Sequence, residues 1–379
     1  MIVQRFVKWC ETATSTQRAE GAAILSRALL DGRITAEERP GADAALMLML
    51  DDPSPKVRQA MALELADGRG APRAVLRALC EDNDSIACIV AGRSPALSDD
   101  DLIDLVATGS EALRGAIAAR RLVSARVAAA LAELAASDTC ITLLGNPGAG
   151  IASISYRRLS ERHGDVAALR GALMARDDLP STVRQTLILR TGQALAELPM
   201  LRNLVGGDRA DRLAFEACER ATALLADNIG EAEVPALVEH LRASGQLNVA
   251  FLLRTVCTGN IDLFAAALVR LSAMSDRRVR TILADGRQSA FRTLMTAAGL
   301  PVASAPLFRC AVSVWRELAT GRLSVAVEDV PQVVMQRVAG SFTATQGDSG
   351  FDEIMRFLHR LAGETSREAA RQHARQLAA

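Results

Sequence analysis

Leu113 to Leu131 reads "LRGAIAARRLVSARVAAAL", Leu169 to Leu187 reads "LRGALMARDDLPSTVRQTL", and the second lies over the first without a gap. They share the opening Leu-Arg-Gly-Ala, an arginine (Arg120, Arg176), a valine (Val127, Val183) and the closing leucine. Each copy predicts a helix, a tight polar corner and the start of a second helix. In the first, Leu113, Ala116, Ile117 and Arg120 keep the i, i+3, i+4, i+7 spacing of one helical face. In the second, "RDDLPS" supplies the corner, with Pro180 near the first turn of the next helix, where its missing N–H is no loss. A helical hairpin this thin buries its apolar face only against a neighbour, so its duplication predicts an array of stacked units.

The same punctuation recurs elsewhere. "DDPSPKVRQAMALELAD" (Asp51–Asp67) runs acid, turn, Val-Arg, then small and large apolar residues along a helix. It resembles a HEAT-type repeat, which implies that Asp52 closes the inter-helix turn and that Arg58 bonds back to the turn of a neighbouring unit. "IACIVAGRSPALSDDDLIDLV" (Ile86–Val106) reads helix, Ser-Pro corner, helix. "LLGNPGAGIASIS" (Leu143–Ser155) raises the question of a phosphate-binding loop, but a dinucleotide fingerprint needs a preceding strand. A Walker A loop needs Gly-Lys-Ser/Thr where this chain has Gly150-Ile151-Ala152. Gly145 to Gly150 are therefore expected to form one more corner, with Gly164 stopping the following helix in a C′ position and Asp165 capping the next.

Composition agrees with an all-α chain and removes several chemistries. Half of the 379 residues are apolar, while aromatics are 3%; abundant Ala and Leu suit short helices packed closely through small side chains. Lys plus Arg equals Asp plus Glu at 44 each, so no global field draws the chain to nucleic acid or an anionic lipid surface. The lysines are Lys8 and Lys56 alone, which denies most of the chain a phosphate lysine or a Schiff-base lysine. No apolar run reaches the roughly 20 residues of a membrane span, and "MIVQRFVKWCETAT" lacks the apolar core of a secretory signal. A cytosolic location is expected. Cys10, Cys80, Cys88, Cys140, Cys218, Cys257 and Cys310 contain no C-x-x-C pair and read as free thiols, mostly buried.

The organisation expected is helical repeats over 1–205, a second helical block over 206–340, a linker at 341–350 and a C-terminal amphipathic helix and tail over 351–379. "LVGGDRADRL" from Leu204 and "SFTATQGDSG" from Ser341 mark the breaks. In the second block Phe264, Leu268 and Leu271 share a face, as do Phe308, Val312 and Trp315, and "AAGLP" (Ala297–Pro301) stops a helix. In the last segment Phe351, Ile354, Met355, Leu358 and Leu361 form an apolar stripe, expected to dock on the chain's own last repeat.

"LNVAFLLRTVCTGNIDLFAAALVRLSAMSDRRVRTILADGRQSAFRTLMTAAGLP" (Leu247–Pro301), with "LLGNPGAGIAS" and "ALMARDDLPSTV" upstream, resembles the DUF2336 family of bacterial proteins, found mainly among alphaproteobacteria. The likeness runs from about Asp51 to Leu318. It implies a helical, HEAT-like cytosolic protein and brings no catalytic residue to carry over.

Candidate chemistry is sparse. His163, His240, His359 and His373 lack the helical spacing of metal ligands, and helix ends in solvent account for them. The acidic runs Asp51-Asp52, Asp99–Asp101 and Asp177-Asp178 sit where helix N-termini favour acids, and Tyr156 reads as packing. The densest cationic segment is "RRVRTILADGRQSAFR", whose Arg277, Arg278, Arg280, Arg287 and Arg292 surround an apolar Val279, Ile282, Leu283 seam. Guanidinium forks hold carboxylates and phosphates, so these five are the candidate partner-binding residues. The expectation is an all-α, HEAT-like solenoid that is not an enzyme, holds no cofactor or metal, and offers a surface to another protein. The alternative is nucleic-acid binding, including base-excision chemistry, or capture of a nucleotide second messenger. It needs a basic groove, with aromatics and a catalytic acid for the nucleic-acid forms.

Overall fold

A computed structural model describes residue 6, residues 8–341 and residues 349–378, and no side chain of 303, 340, 341, 349–354, 368, 372, 373 or 376–378. Among the described residues the regular structure is helical, with one isolated parallel bridge between Val123 and Ala149. The chain divides into two compact units, Met1–Val183 and Arg184–Ala379.

The first unit holds α1 (Ser15–Leu30), α2 (Arg39–Met49), α3 (Pro55–Leu65), α4 (Arg73–Cys80), α5 (Asp84–Arg93), α6 (Asp99–Thr108), α7 (Glu111–Ala118), α8 (Ala125–Leu134), α9 (Ser137–Gly145), α10 (Ser153–His163) and α11 (Ala167–Met174). Helices pack on their next-but-one neighbours: α1 on α3, α3 on α5, α5 on α7, α7 on α9 and α9 on α11 form one layer, and α6 on α8 on α10 lie in the other. The duplicated hairpins fall on α7–α8 and on α11 with the helix after it. Leu113 and Leu169, Ile117 and Leu173, Val127 and Val183 are buried as pairs of equivalent positions, each full aliphatic burial contributing about 1.5–3 kcal/mol. Buried Ala62, Ala87, Ala118 and Ala128 let the layers approach closely.

Local chemistry starts and stops these helices. Thr14 with Gln17, and Ser98 with Asp101, form capping boxes, while Ser110 and Ser124 accept from the backbone N–H groups of Leu113 and Val127. Arginines tie one corner to the next. Arg58 donates to its own turn at the Asp52 carbonyl (2.6 Å) and reaches the following turn at Asp82 (Nη2 to Oδ1, 3.0 Å). Asp52 closes its turn by accepting from the Ser54 N–H (2.9 Å) and is held by Arg18 (2.6 and 3.0 Å). The equivalent Arg120 and Arg176 do the same work: Arg120 binds the carbonyls of Ala91 and Ser94, and Arg176 those of Asn146 (3.1 Å) and Ala149 (3.3 Å). Asp165 does not cap. The cap position of α11 is Val166, Gly164 has φ −68° rather than a left-handed value, and Arg170 takes the carbonyls of both Gly164 and Asp165.

The second unit contains most of α12 (Ser181–Ala196), then α13 (Pro199–Val205), α14 (Gly207–Asp227), α15 (Val234–Ala243), α16 (Val249–Thr258), α17 (Ile261–Ser272), α18 (Asp276–Asp285), α19 (Gln288–Ala297), α20 (Ala305–Ala319), α21 (Val330–Ser341) and α22 (Ser349–Ala378). Its core surrounds α16, where every residue from Phe251 to Cys257 is buried and which packs against α14, α17, α20 and α21. Phe264 stacks on Phe308 with ring centroids 5.3 Å apart, and Trp315 donates its indole N–H to the Val256 carbonyl at 2.7 Å. Gly299 (φ +69°) follows α19 at the expected stop. The terminal helix α22 docks on α21 within this unit, burying Leu358 and Leu361; the side chains of Phe351 and Ile354 and residues 342–348 of the expected linker lie outside the described residues.

Candidate functional site

Helix α16 carries a single charge, Arg254, among apolar residues and two threonines whose hydroxyls donate to the helix's own carbonyls. The Arg254 side chain is 5% exposed and forms an ion pair with Glu364 of α22 (Nη1 to Oε2, 2.7 Å). The guanidinium carbon lies 5.7 Å from the ring centroid of Phe357, on the same helix. Among the described residues neither its buried Nε nor its Nη2 makes a hydrogen bond. A guanidinium carries five N–H donors, and an unsatisfied buried donor costs about 1–3 kcal/mol. Such a group asks what acceptor it is built to meet.

Arg254 borders two cavities of the second unit. The larger, of about 460 Å³, lies among α14, α16 and α22 and is also lined by Arg220, Asp227, Arg367 and the apolar Leu213, Leu224 and Leu361. The other, of about 390 Å³, is lined by Phe215, Glu219, Leu253 and Phe357. Arg360, on the wall of both, pairs with Glu216. Burial pushes the Glu219 and Asp227 carboxyls above the usual range, against single amide contacts from Asn248 (3.4 Å) and Asn260 (2.7 Å). Arg220 has no hydrogen-bond or ion-pair partner among the described residues, and Arg367 is held only by the Gly363 carbonyl of its own helix (2.8 Å).

A family profile described as "Uncharacterised protein conserved in bacteria (DUF2336)" matches residues 86–345. The chain belongs to the DUF2336 family. No curated protein and no solved structure matches it. The matched span of this DUF2336 protein includes Arg254 and stops before Glu364.

The five arginines singled out from the sequence are brought together only in part. All are exposed on or beside α18 and α19. Arg280 is committed to Asp262 (2.6 Å) and Asp276 (3.0 Å). Arg277 and Arg278 flank a shallow groove with Ser275, Thr281 and Thr293; with Arg287 and Arg292 they have no ion-pair partner among the described residues.

The glycine loop of the DUF2336 protein is a corner between α9 and α10. The N–H groups that a phosphate would require are already donated: Gly148 to Asn146 Oδ1 (2.8 Å), Ala149 to the Asn146 carbonyl (3.2 Å) and Gly150 to the Val123 carbonyl (2.9 Å). Tyr156 is buried, donates to Asp178 (2.7 Å) and accepts from Arg176 (2.9 Å), and burial raises its phenol to about 12. His163 ends α10 half-buried against the Ala135 carbonyl (3.2 Å) rather than in solvent, and His359 is exposed but within α22 rather than at a helix end. His240 also departs from the solvated expectation: it is half-buried against Gln185 (2.9 Å) and Thr186 (3.3 Å), and burial lowers its pKa. The His373 side chain lies outside the described residues. All seven cysteines are free, and burial raises Cys80 and Cys257 to about 12. Among the described residues no group of three His, Cys, Asp or Glu side chains could hold a metal ion, and no helix is long and apolar enough to cross a membrane.

Proposed function

We propose that this protein is a non-enzymatic scaffold or regulatory adaptor of the bacterial cytosol that docks a partner protein through its second unit. The observation that carries the reading is an uncovered apolar strip at the end of α12, on α13 and on the first turns of α14. Leu195, Leu198, Met200, Leu204, Leu213 and Phe215 are exposed there, Met200 at 76% and Leu204 at 72%, and α13 has no buried residue. Six large apolar side chains exposed within 21 residues of sequence exceed the single scattered exposures of an ordinary surface, and a cluster of that kind marks interaction sites. The occupant that fits is a helix of the partner with an apolar stripe and acidic flanks. Its stripe would cover Met200 and Leu204, and its carboxylates would meet Arg209 and Arg212, which are exposed and lack an acidic partner among the described residues. The groove flanked by Arg277 and Arg278 is a second contact for an acidic face of the same partner. A cytosolic setting is supported by the seven free thiols, since oxidising compartments pair cysteines.

A photoreactive residue at Met200, with Leu134 as a control position in the other unit, would capture the partner in the native bacterium. The purified partner is expected to bind the intact chain and to lose at least tenfold in affinity to a Met200→Glu, Leu204→Glu variant, and less to Arg277→Glu, Arg278→Glu. Unchanged affinity for the first variant, a crosslink only to a second copy of this chain, or a salt-sensitive gel shift with DNA or RNA as the sole binding event would overturn the proposal.

A further inference from the structure

Arg254, Arg220 and Arg367 border one cavity, and among the described residues the single Arg254–Glu364 contact is the carboxylate partner they have. The volume, about 460 Å³, lies in the range of roughly 300–1,000 Å³ typical of small-molecule sites. We propose that this cavity binds a small phosphate monoester with an apolar body. The dianion suits a cradle of several guanidinium groups better than a single carboxylate does, because each arginine can present two N–H donors to a different pair of phosphate oxygens. Leu213, Leu224 and Leu361 would cover the organic part, while Asp227, Thr258 and Thr365 line the same wall, the two threonine hydroxyls donating to carbonyls of their own helices.

Glu364 already displays the recognition mode, since its carboxylate occupies Nη1 of Arg254. It is a covalently tethered stand-in for the anion of the ligand and competes with it. Binding therefore draws on a guanidinium that the terminal helix also uses, and weakening the tether favours the ligand. Leu213 belongs to both the apolar strip and the cavity wall, but a small-ligand titration of the full chain involves no protein partner.

The test is calorimetric titration of the full chain with phenyl phosphate, with inorganic phosphate and benzoate as the head-only and monocarboxylate arms. Saturable binding of phenyl phosphate, tighter than either arm, is expected. Arg220→Ala, at an exposed position that leaves the core intact, is expected to weaken it about tenfold, the loss of one charge-assisted contact. Glu364→Gln is expected to tighten it several-fold, an effect that a purely structural role for Arg254 would not produce. Arg254→Gln should abolish binding, and should that variant misfold, Arg220→Ala and Glu364→Gln decide the matter. Absence of saturable binding, equal affinity for benzoate, indifference to Arg220→Ala, failure of Glu364→Gln to tighten, or loss of binding in Arg277→Ala, Arg278→Ala would each overturn the proposal.

Discussion

Replacing Gly148 by Ala tests whether the glycine loop is a backbone-to-backbone corner. A Cβ at this position would stand 2.0 Å from the Arg121 carbonyl oxygen and 3.0 Å from its carbon, both backbone atoms that no rotamer change can clear. The loop must retreat, and with it go the Val123 N–H to Gly148 carbonyl bond (3.1 Å) and the Gly150 N–H to Val123 carbonyl bond (2.9 Å). At about 0.5–1.5 kcal/mol for each bond, and about 1 kcal/mol for residual strain, the expected cost is roughly 2–4 kcal/mol. For a unit of this size that lowers the midpoint by roughly 4–16 °C. The matched control is Gly171→Ala: no atom lies within 4 Å of its added Cβ, the site is exposed within α11, and the change should stabilise by about 0.5–1 kcal/mol. Differential scanning calorimetry and urea titration near neutral pH would measure both. A Gly148→Ala protein that melts with or above the parent would refute the close approach and reopen the loop to ligands.

Three further outcomes follow from the ionisable groups. The Arg18 and Arg58 guanidinium groups, through their hydrogen bonds, hold the Asp52 and Asp82 carboxyls below their ordinary value of 3.8; stability from these pairs is complete above that value and falls as pH drops below it, so Asp82→Asn should flatten the acid limb of a stability–pH curve. Glu219 has the opposite sign: burial raises its folded pKa above 4.5, the unfolded chain releases its proton first, and stability declines as pH climbs from 4.5 through the folded value. Glu219→Gln should therefore raise the melting temperature at pH 8 more than at pH 4, as calorimetry at the two pH values would show. Cys80 and Cys257, raised to about 12 by burial, should resist a thiol-titrating disulfide reagent in the native protein and react once urea unfolds it; immediate reaction of all seven thiols would contradict that burial.

Periodicity and punctuation made the helices, the corners and the duplicated hairpin readable, because each is encoded within a few consecutive residues. The match of Arg120 to Arg176 was visible as letters and is realised as two arginines that hold the carbonyls of the preceding corner. Asp101 could likewise be placed in a helix's first turn, where it completes a capping box with Ser98. Arg254 escaped notice although it stands in the run "AFLLRTVC". A lone charge in an otherwise apolar helix is a local signal, but its meaning depends on Glu364, 110 residues away in sequence. Arg280 looked equal to its neighbours for the same reason, its acid partner Asp262 being brought by α17. The apolar strip was unreadable because periodicity shows which face of a helix is apolar and is silent on whether another element covers it.

The boundary of the family profile at residue 345 and the position of Glu364 beyond it bear on how the protein is handled. A fragment trimmed to the shared region would lose Glu364 together with Phe357, Leu358 and Leu361, baring both the Arg254 guanidinium and the apolar face of α21 that the terminal helix covers. Such a fragment is expected to express poorly or clump for reasons unrelated to its biology, and a fusion tag is better carried at the other end of the chain.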